Sequence, residues 1–267
     1  MRPVHFENQG SLGVITIDNP PINLADNALF AALTKVLDEV DSSDVRALLI
    51  QAEGDHFGCG VNVNTTFVGV DSKNARRMLN RGIPMVTRME EMNIPIVCAV
   101  QGLCLAAALE LALRCDVIIA ADDAKFAQVE QHIGAATFLG GAYLLAERCG
   151  PARAREICFS GDFYDAASFE RWNIINRVVL RASLRAEALT WAQRLANGPT
   201  MAHAATKRMV RAFLDHGVRA ADEMLNDLSP PIFDSADFKA GVEAVVRLGS
   251  KKFSGNGTLS RRLTRPG

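Results

Sequence analysis

Three short and almost uninterrupted apolar runs constrain this chain most: Val45 to Ala52, Ile94 to Val100 and Asp116 to Ala121. Each has strand length, and none alternates polar with apolar as a strand with one wet face does. Such strands are covered on both faces, the condition of a parallel sheet flanked by helices. The segments between them supply those helices. Leu29, Leu33, Val36, Leu37 and Val40 share one face of a helix over Asp26 to Val40, with Asp26 as its cap. Ala75 to Met92 and Ala106 to Arg114 read as two more helices, and Leu12 to Asp18 as an earlier strand closed by the turn Asn19-Pro20-Pro21. From Leu184 the pattern turns wholly helical, over Leu184 to Ala196, Pro199 to Asp215 and Ala220 to Leu228. The expected organisation is an α/β core over residues 1–195 and a helical C-terminal region over 196–267. The second part is too small for a large core of its own and is expected to pack on the first or on another subunit.

Composition narrows the function classes. A net charge of −1 over 267 residues provides no general field for nucleic acid or acidic membranes. No run of about 18 apolar residues exists, because Arg114 and Asp116 interrupt the longest candidate. The N-terminus has no apolar signal stretch, and the six cysteines form no Cys-x-x-Cys pair. They read as small buried hydrophobes of a reducing compartment, so a cytoplasmic location is expected. Neither His56 nor His132 has neighbours that would complete a metal site, and no metal is expected. Lys251 and Lys252 stand in a basic tail that carries no acidic residue after Glu243. By itself that tail reads as a solvated surface.

Against this background two glutamates stand out. Glu110 lies in Ala-Ala-Ala-Leu-Glu-Leu-Ala-Leu, and Glu130 follows Ala-Lys-Phe-Ala-Gln-Val. A carboxylate in an apolar setting is costly unless it has a partner or a use. The helix holding Glu110 starts near Ala106 without a Ser, Thr or Asp cap, so its first N–H groups stay open to an incoming oxygen. The bland alternative is an alanine-rich core helix whose glutamate reaches solvent. Upstream, His56-Phe-Gly-Cys-Gly-Val-Asn62 places two glycines where a backbone N–H can be aimed inward. A plain surface loop is the alternative there.

Taken in order, these pieces resemble the crotonase, or enoyl-CoA hydratase/isomerase, superfamily. Phe57-Gly58-Cys59-Gly60-Val61-Asn62 matches that family's Phe-x-x-Gly-x-Asp loop. Pro95, Cys98-Ala99-Val100, Gly102 and Ala106 to Glu110 match its Pro-x-x-Ala-x-x-x-Gly segment and glutamate-bearing helix. Cys115-Asp116, Phe126, Glu130, Ile133-Gly134, Gly161, Ala166 and Val178 follow in the family's order. The resemblance implies a crotonase-like spiral of ββα units whose C-terminal helices pack at trimer contacts, as a homotrimer or a dimer of trimers. It implies an acyl-CoA substrate, with coenzyme A part of that substrate and no separate cofactor. By position, the Val61 and Ala107 N–H groups would form an oxyanion hole. Glu110 would serve water and Glu130 the α-carbon proton, in hydration of a 2-enoyl-CoA. Asn62, Lys251 and Lys252 become candidate coenzyme A contacts, the two lysines evenly balanced against a solvated tail.

The nearer alternative is a Δ3-Δ2 enoyl-CoA isomerase or another acyl-CoA lyase of the same type. A non-catalytic or RNA-binding member is disfavoured by the charge balance. Three departures matter. Alanine occupies 106 to 108 where the family has glycine, which predicts a re-shaped acyl pocket, Asn62 replaces the usual Asp, and Ala135 to Leu139 replaces a commonly proline-bearing stretch.

Overall fold

The computed structural model of the chain describes residues 2–249, so Lys251 and Lys252 lie outside the described residues. Strands β1 (Val4–Gln9) and β2 (Leu12–Ile17) lead into α1 (Asn27–Asp41) and β3 (Ala47–Ala52). A one-turn helix α2 (Val63–Thr66) and the long α3 (Ser72–Glu91) precede β4 (Ile96–Val100), β5 (Leu103–Leu105) and α4 (Ala107–Leu113). Next come β6 (Val117–Ala121), β7 (Lys125–Ala127) and a 3₁₀ turn over Val129–Ile133. Helices α5 (Gly141–Cys149) and α6 (Pro151–Ser160), strand β8 (Tyr164–Asp165), α7 (Ala166–Arg171), β9 (Arg177–Val179) and α8 (Leu184–Ala196) complete this part. Four helices follow: α9 (Thr200–His216), α10 (Val218–Leu228), α11 (Pro230–Asp234) and α12 (Ala236–Gly249). Packing divides the chain after Thr200.

The three apolar runs became β3, β4 and β6, side by side and parallel in a six-stranded sheet ordered β1-β2-β3-β4-β6-β9. Only β1 is antiparallel to its neighbour. Both faces are covered, which is why these strands carry no polar alternation. One face places Leu48, Ile50, Ile96, Cys98, Val100 and Ile118 in a core shared with Leu33, Leu37, Val86 and Leu109. The other sets Leu49, Val97, Ala99 and Ile119 against Leu184, Ala188, Ala192 and Ala196 of α8. The alanines recur every fourth residue, so a stripe of methyl groups faces the sheet and the helix axis can approach it closely. A second, three-stranded sheet of β5, β7 and β8 sits apart from the first.

Helix α1 buries the expected residues Leu29, Leu33, Val36, Leu37 and Val40, and Asp26 caps it by accepting from the Leu29 N–H at 2.9 Å. Several elements were not anticipated. β5, β7 and β8 are two or three residues long and carry too little pattern to be read. β1 is a mostly exposed edge strand whose polar residues conceal it. The second part of the chain leaves Phe213, Leu214, Val218 and Phe233 substantially exposed in the single chain.

Because β3, β4 and β6 are parallel neighbours, the segments leaving their C-terminal ends emerge along one sheet edge. Those segments carry Val61, then Ala107 and Glu110, then Glu130. In open α/β sheets ligands bind at that edge. The last segment is anchored by Phe126 of β7, stacked on Phe169 of α7 with ring centroids 4.4 Å apart. Both rings are fully buried. Phe169→Ala is expected to lower stability by about 3–5 kcal/mol, measured by urea unfolding followed by circular dichroism.

Candidate active site

Gly58 pairs with Cys104 of β5 in a single parallel bridge, and Val61 pairs in the same way with Ala25. The N–H of Gly58 donates to Leu103 O at 3.0 Å, and the Leu105 N–H donates to Gly58 O at 2.9 Å. A side chain at Gly58 would put a Cβ 2.8 Å from the Ala108 methyl, and one at Gly60 would sit 3.0 Å from the Ala106 methyl. Gly60 also holds φ at 85°, which glycine adopts without penalty. The loop is clamped from behind by Asn23, which is buried. Its amide nitrogen donates to Glu53 O and His56 O, at 2.9 and 2.8 Å. His56 is structural here, its Nδ1 accepting from the Leu103 N–H at 3.1 Å.

Opposite this loop, α4 begins at Ala106 with φ 49° and ψ −123°. An L residue adopts that conformation only under constraint, at a cost of about 1–3 kcal/mol. It is the backbone, held by Ala106 N–H donation to Ala127 O at 3.0 Å, that demands it. This is why a glycine-rich start suits the motif and why alanine at 106 is notable. Among the described residues, neither the Val61 N–H nor the Ala107 N–H is engaged in a hydrogen bond. Both residues line one cavity of about 1070 Å³, together with Glu110 and Glu130. Asn62 does not line it; its side chain instead accepts from the Thr65 N–H at 3.3 Å and caps α2.

The two carboxylates are supported differently. Glu110 is 2% exposed, and its Oε1 accepts from the N–H groups of Leu139 and Gly141, each at 2.8 Å. Burial pushes its pKa up, while those N–H donors and the Arg114 charge oppose the rise. Glu130 projects from the 3₁₀ turn and is 9% exposed. Burial raises its pKa to about 7, opposed by its own backbone N–H and reinforced by the charge on Glu110. Gln128, also buried, has its amide nitrogen turned toward Glu130, the orientation that matches donor to acceptor, and reaches both carboxylate oxygens at 3.0 Å.

Sequence reasoning did not find Gln128, Asn23 or the Leu139–Gly141 donors. The sequence marks Gly140-Gly141 as a place of close packing or of entry to the next helix, and the pair does open α5, but its role goes further. A Cβ on Gly141 would fall 2.3 Å from the Gln128 amide, so glycine lets one N–H reach Glu110 while Gln128 stays beside Glu130. The cavity continues between α1 and α3 over Phe30, Met78 and Met85, with the cations Lys35, Arg77 and Arg81 also on its lining. No group of three or more His, Cys, Asp or Glu side chains placed to hold a metal occurs among the described residues, nor is any helix there long and apolar enough to cross a membrane. Such an arrangement can polarise a carbonyl with two N–H donors while two carboxylates exchange protons beside it.

Comparison with known proteins gives the site its lineage. Residues 7–256 match the family model described as Enoyl-CoA hydratase/isomerase. A carnitinyl-CoA dehydratase of Citrobacter koseri is 31% identical over 211 residues, spanning 78% of this chain and 80% of that protein. A 1,2-epoxyphenylacetyl-CoA isomerase of Escherichia coli K12 is 28% identical, spanning 90% and 94%. Among solved structures, an enoyl-CoA hydratase subunit I from Geobacillus kaustophilus HTA426 aligns with a TM-score of 0.86 at 27% identity, covering 95% of this chain and 98% of that one. The motif order, the spiral α/β fold and these matches agree: the chain belongs to the enoyl-CoA hydratase/isomerase, or crotonase, family.

Proposed function

We propose that this protein hydrates the 2,3 double bond of a 2-enoyl-CoA thioester. One observation carries the reading: two buried carboxylates with unequal support share a cavity with two unengaged N–H groups. The thioester oxygen would accept from the N–H of Val61 and of Ala107. Glu110, whose Oε1 is committed to the Leu139–Gly141 loop, would use its other oxygen to take a proton from water. The hydroxide adds to C3, the double-bond electrons move onto the thioester oxygen, and the enolate is held by the two N–H donors. Collapse of the enolate takes a proton from Glu130 onto C2. The turnover leaves Glu110 protonated and Glu130 ionised, and exchange with solvent restores both. An oxyanion-hole donor is worth about 10²–10³ in rate, and each acid or base about 10²–10⁴. Their mutual influence makes the two carboxylates titrate as a pair.

Lys35, Arg77 and Arg81 on the cavity lining suit the phosphates of coenzyme A, while Phe30, Met78 and Met85 suit an apolar acyl group. No separate cofactor is needed for this chemistry. The C-terminal region, from residue 196 onward, is assigned to self-association, as a homotrimer or a dimer of trimers, which its exposed Phe213, Leu214 and Val218 favour. The free cysteines, three buried and three half-buried, favour a reducing, cytoplasmic setting. Isomerase chemistry is the second reading, favoured by the relative named an isomerase. Chromatography of the products from a panel of 2-enoyl and 3-enoyl thioesters decides: isomerised product with no 3-hydroxyacyl thioester would rule out the hydratase reading.

Glu130→Gln is expected to lower hydration kcat by about 10²–10⁴, read from the loss of conjugated enoyl-thioester absorbance. The same substitution tests a linkage. The Glu130 pKa is about 7 in the fold against an ordinary 4.5, so the folded state binds the extra proton between those values. The destabilisation is absent below pH 4.5 and complete above about pH 7. Glu130→Gln should therefore raise stability at pH 8 by about 3 kcal/mol and change it little near pH 4, in denaturant titrations at both pH values. Ala106→Gly should stabilise the protein by about 1 kcal/mol through relief of the positive φ. Ala107→Gly removes a methyl from the cavity wall and should change the preference between acyl chain lengths by about tenfold, measured as ratios of kcat/KM.

A further inference from the structure

Arg114 is the C-cap residue of α4, one turn beyond Glu110, and is buried. A guanidinium out of water needs partners, and its partners here are specific. Its Nη1 donates to Glu90 Oε2 at 2.6 Å. Its Nη2 donates to the carbonyl of Leu139 at 2.6 Å and to the Tyr143 hydroxyl at 2.9 Å. The Leu139 residue thus joins two charges, its carbonyl on Arg114 and its N–H on the Glu110 carboxylate. Gly140 lies between the two N–H donors of Glu110. It has φ 111°, and a Cβ there would fall 2.4 Å from Nη2 of Arg114. The 139–141 segment is therefore moulded around the guanidinium.

We infer that Arg114, braced by Glu90, is a positioning residue for Glu110: it holds the Leu139–Gly141 segment in the one conformation that aims two N–H groups at the carboxylate. The inference rests on the reading of Glu110 as the base that receives the water proton. If Arg114 is lost, the segment relaxes and the donors separate from Oε1. The Arg114 charge, which favours the ionised carboxylate, is lost as well. The other titratable groups bearing on this pair are Glu130 on the 3₁₀ turn and the Cys158 thiol of α6. Neither contacts Arg114 by hydrogen bond, so substitution there leaves their own bonds in place.

The test compares wild type with Arg114→Met, made alone and together with Glu90→Gln so that the guanidinium and the carboxylate facing it are neutralised together. On a 2-enoyl-CoA that wild type hydrates, kcat should fall about 100-fold, as for a reacting group displaced by about 1 Å. KM should stay within about threefold, and the acidic limb of kcat/KM should move up by about one pH unit. A merely structural loss would lower the active fraction without moving that limb. If the Met variants do not fold, Arg114→Lys keeps a charge but not the two-armed contact, and the same shift is expected in a smaller degree. An independent readout is the carbon-13 titration of the Glu110 carboxylate in a Glu130→Gln background, whose midpoint should rise when Arg114 is replaced. A folded variant with unchanged kcat, or an unchanged acidic limb and carboxylate midpoint, overturns the inference. Absence of turnover in wild type on every enoyl thioester would instead overturn the functional reading, and the carboxylate titration would still judge Arg114.

Discussion

The site depends on how closely two stretches of backbone approach one another, the loop at Phe57–Val61 and the first turn of α4. An oxyanion hole made of main-chain N–H groups works only if both donors are fixed before the charge forms, since reorganisation during reaction would cost what the donors contribute. Here the fixing is done by hydrogen bonds that leave the two donors out. The neighbours of Val61 are bonded, with the Ala25 N–H donating to Gly60 O at 2.7 Å and the Asn62 N–H to Ala25 O at 2.8 Å. Ala107 is flanked in the same way by the bond from Ala106 to Ala127. Gly58 and Gly60 permit the approach, because any side chain on either would press on the α4 alanines.

Burial beside this seam gives the carboxylates their chemistry. Burial raises both pKa values, but the two answers to burial differ in kind. Glu110 receives two main-chain N–H groups on one oxygen, donors that cannot rotate away. Glu130 receives a side-chain amide and stands near half-protonation at neutral pH. A pair so arranged separates into a base and an acid without either residue being special in sequence. The arrangement holds the stability of the fold below what an uncharged site would allow, a common exchange at functional sites.

Much of the scaffold was legible because it follows from burial periodicity. The runs at β3, β4 and β6 had to be doubly covered strands, α1 showed its buried face plainly, and α8 showed its span. Glu110 and Glu130 were legible as charges in apolar surroundings, and the motif order supplied their relation. What stayed hidden has one physical origin: it depends on contacts between segments far apart in sequence. Leu139 and Gly141 serve Glu110 across about thirty residues, through N–H groups that every residue but proline owns. Asn23 and Gln128 look like ordinary loop polars until their burial is known. Arg114 did leave a trace, as the charge interrupting an apolar run, yet its partner Glu90 is 24 residues earlier and bears no pattern linking the two.

The three alanines at the start of α4 are not equivalent. The Ala108 methyl packs toward Gly58 and the Ala106 methyl toward Gly60, so both fill the seam between loop and helix. Ala106 and Ala107 line the main cavity and Ala108 does not. A re-shaped acyl pocket, argued from sequence for the triplet as a whole, therefore reduces to the first two positions. Of these, Ala106 holds a backbone conformation that glycine would adopt without strain. A strained residue persists only where the surroundings over-determine it, and here the bonds to Ala127 and Glu110 on either side do so. The methyl group at 106 is thus carried at a cost, in a place where its removal would open the seam beside the oxyanion hole. That cost is best understood as the stiffness of the hole itself: with a side chain on 106, the turn has fewer ways to relax, and the Ala107 N–H stays aimed where the thioester oxygen would lie.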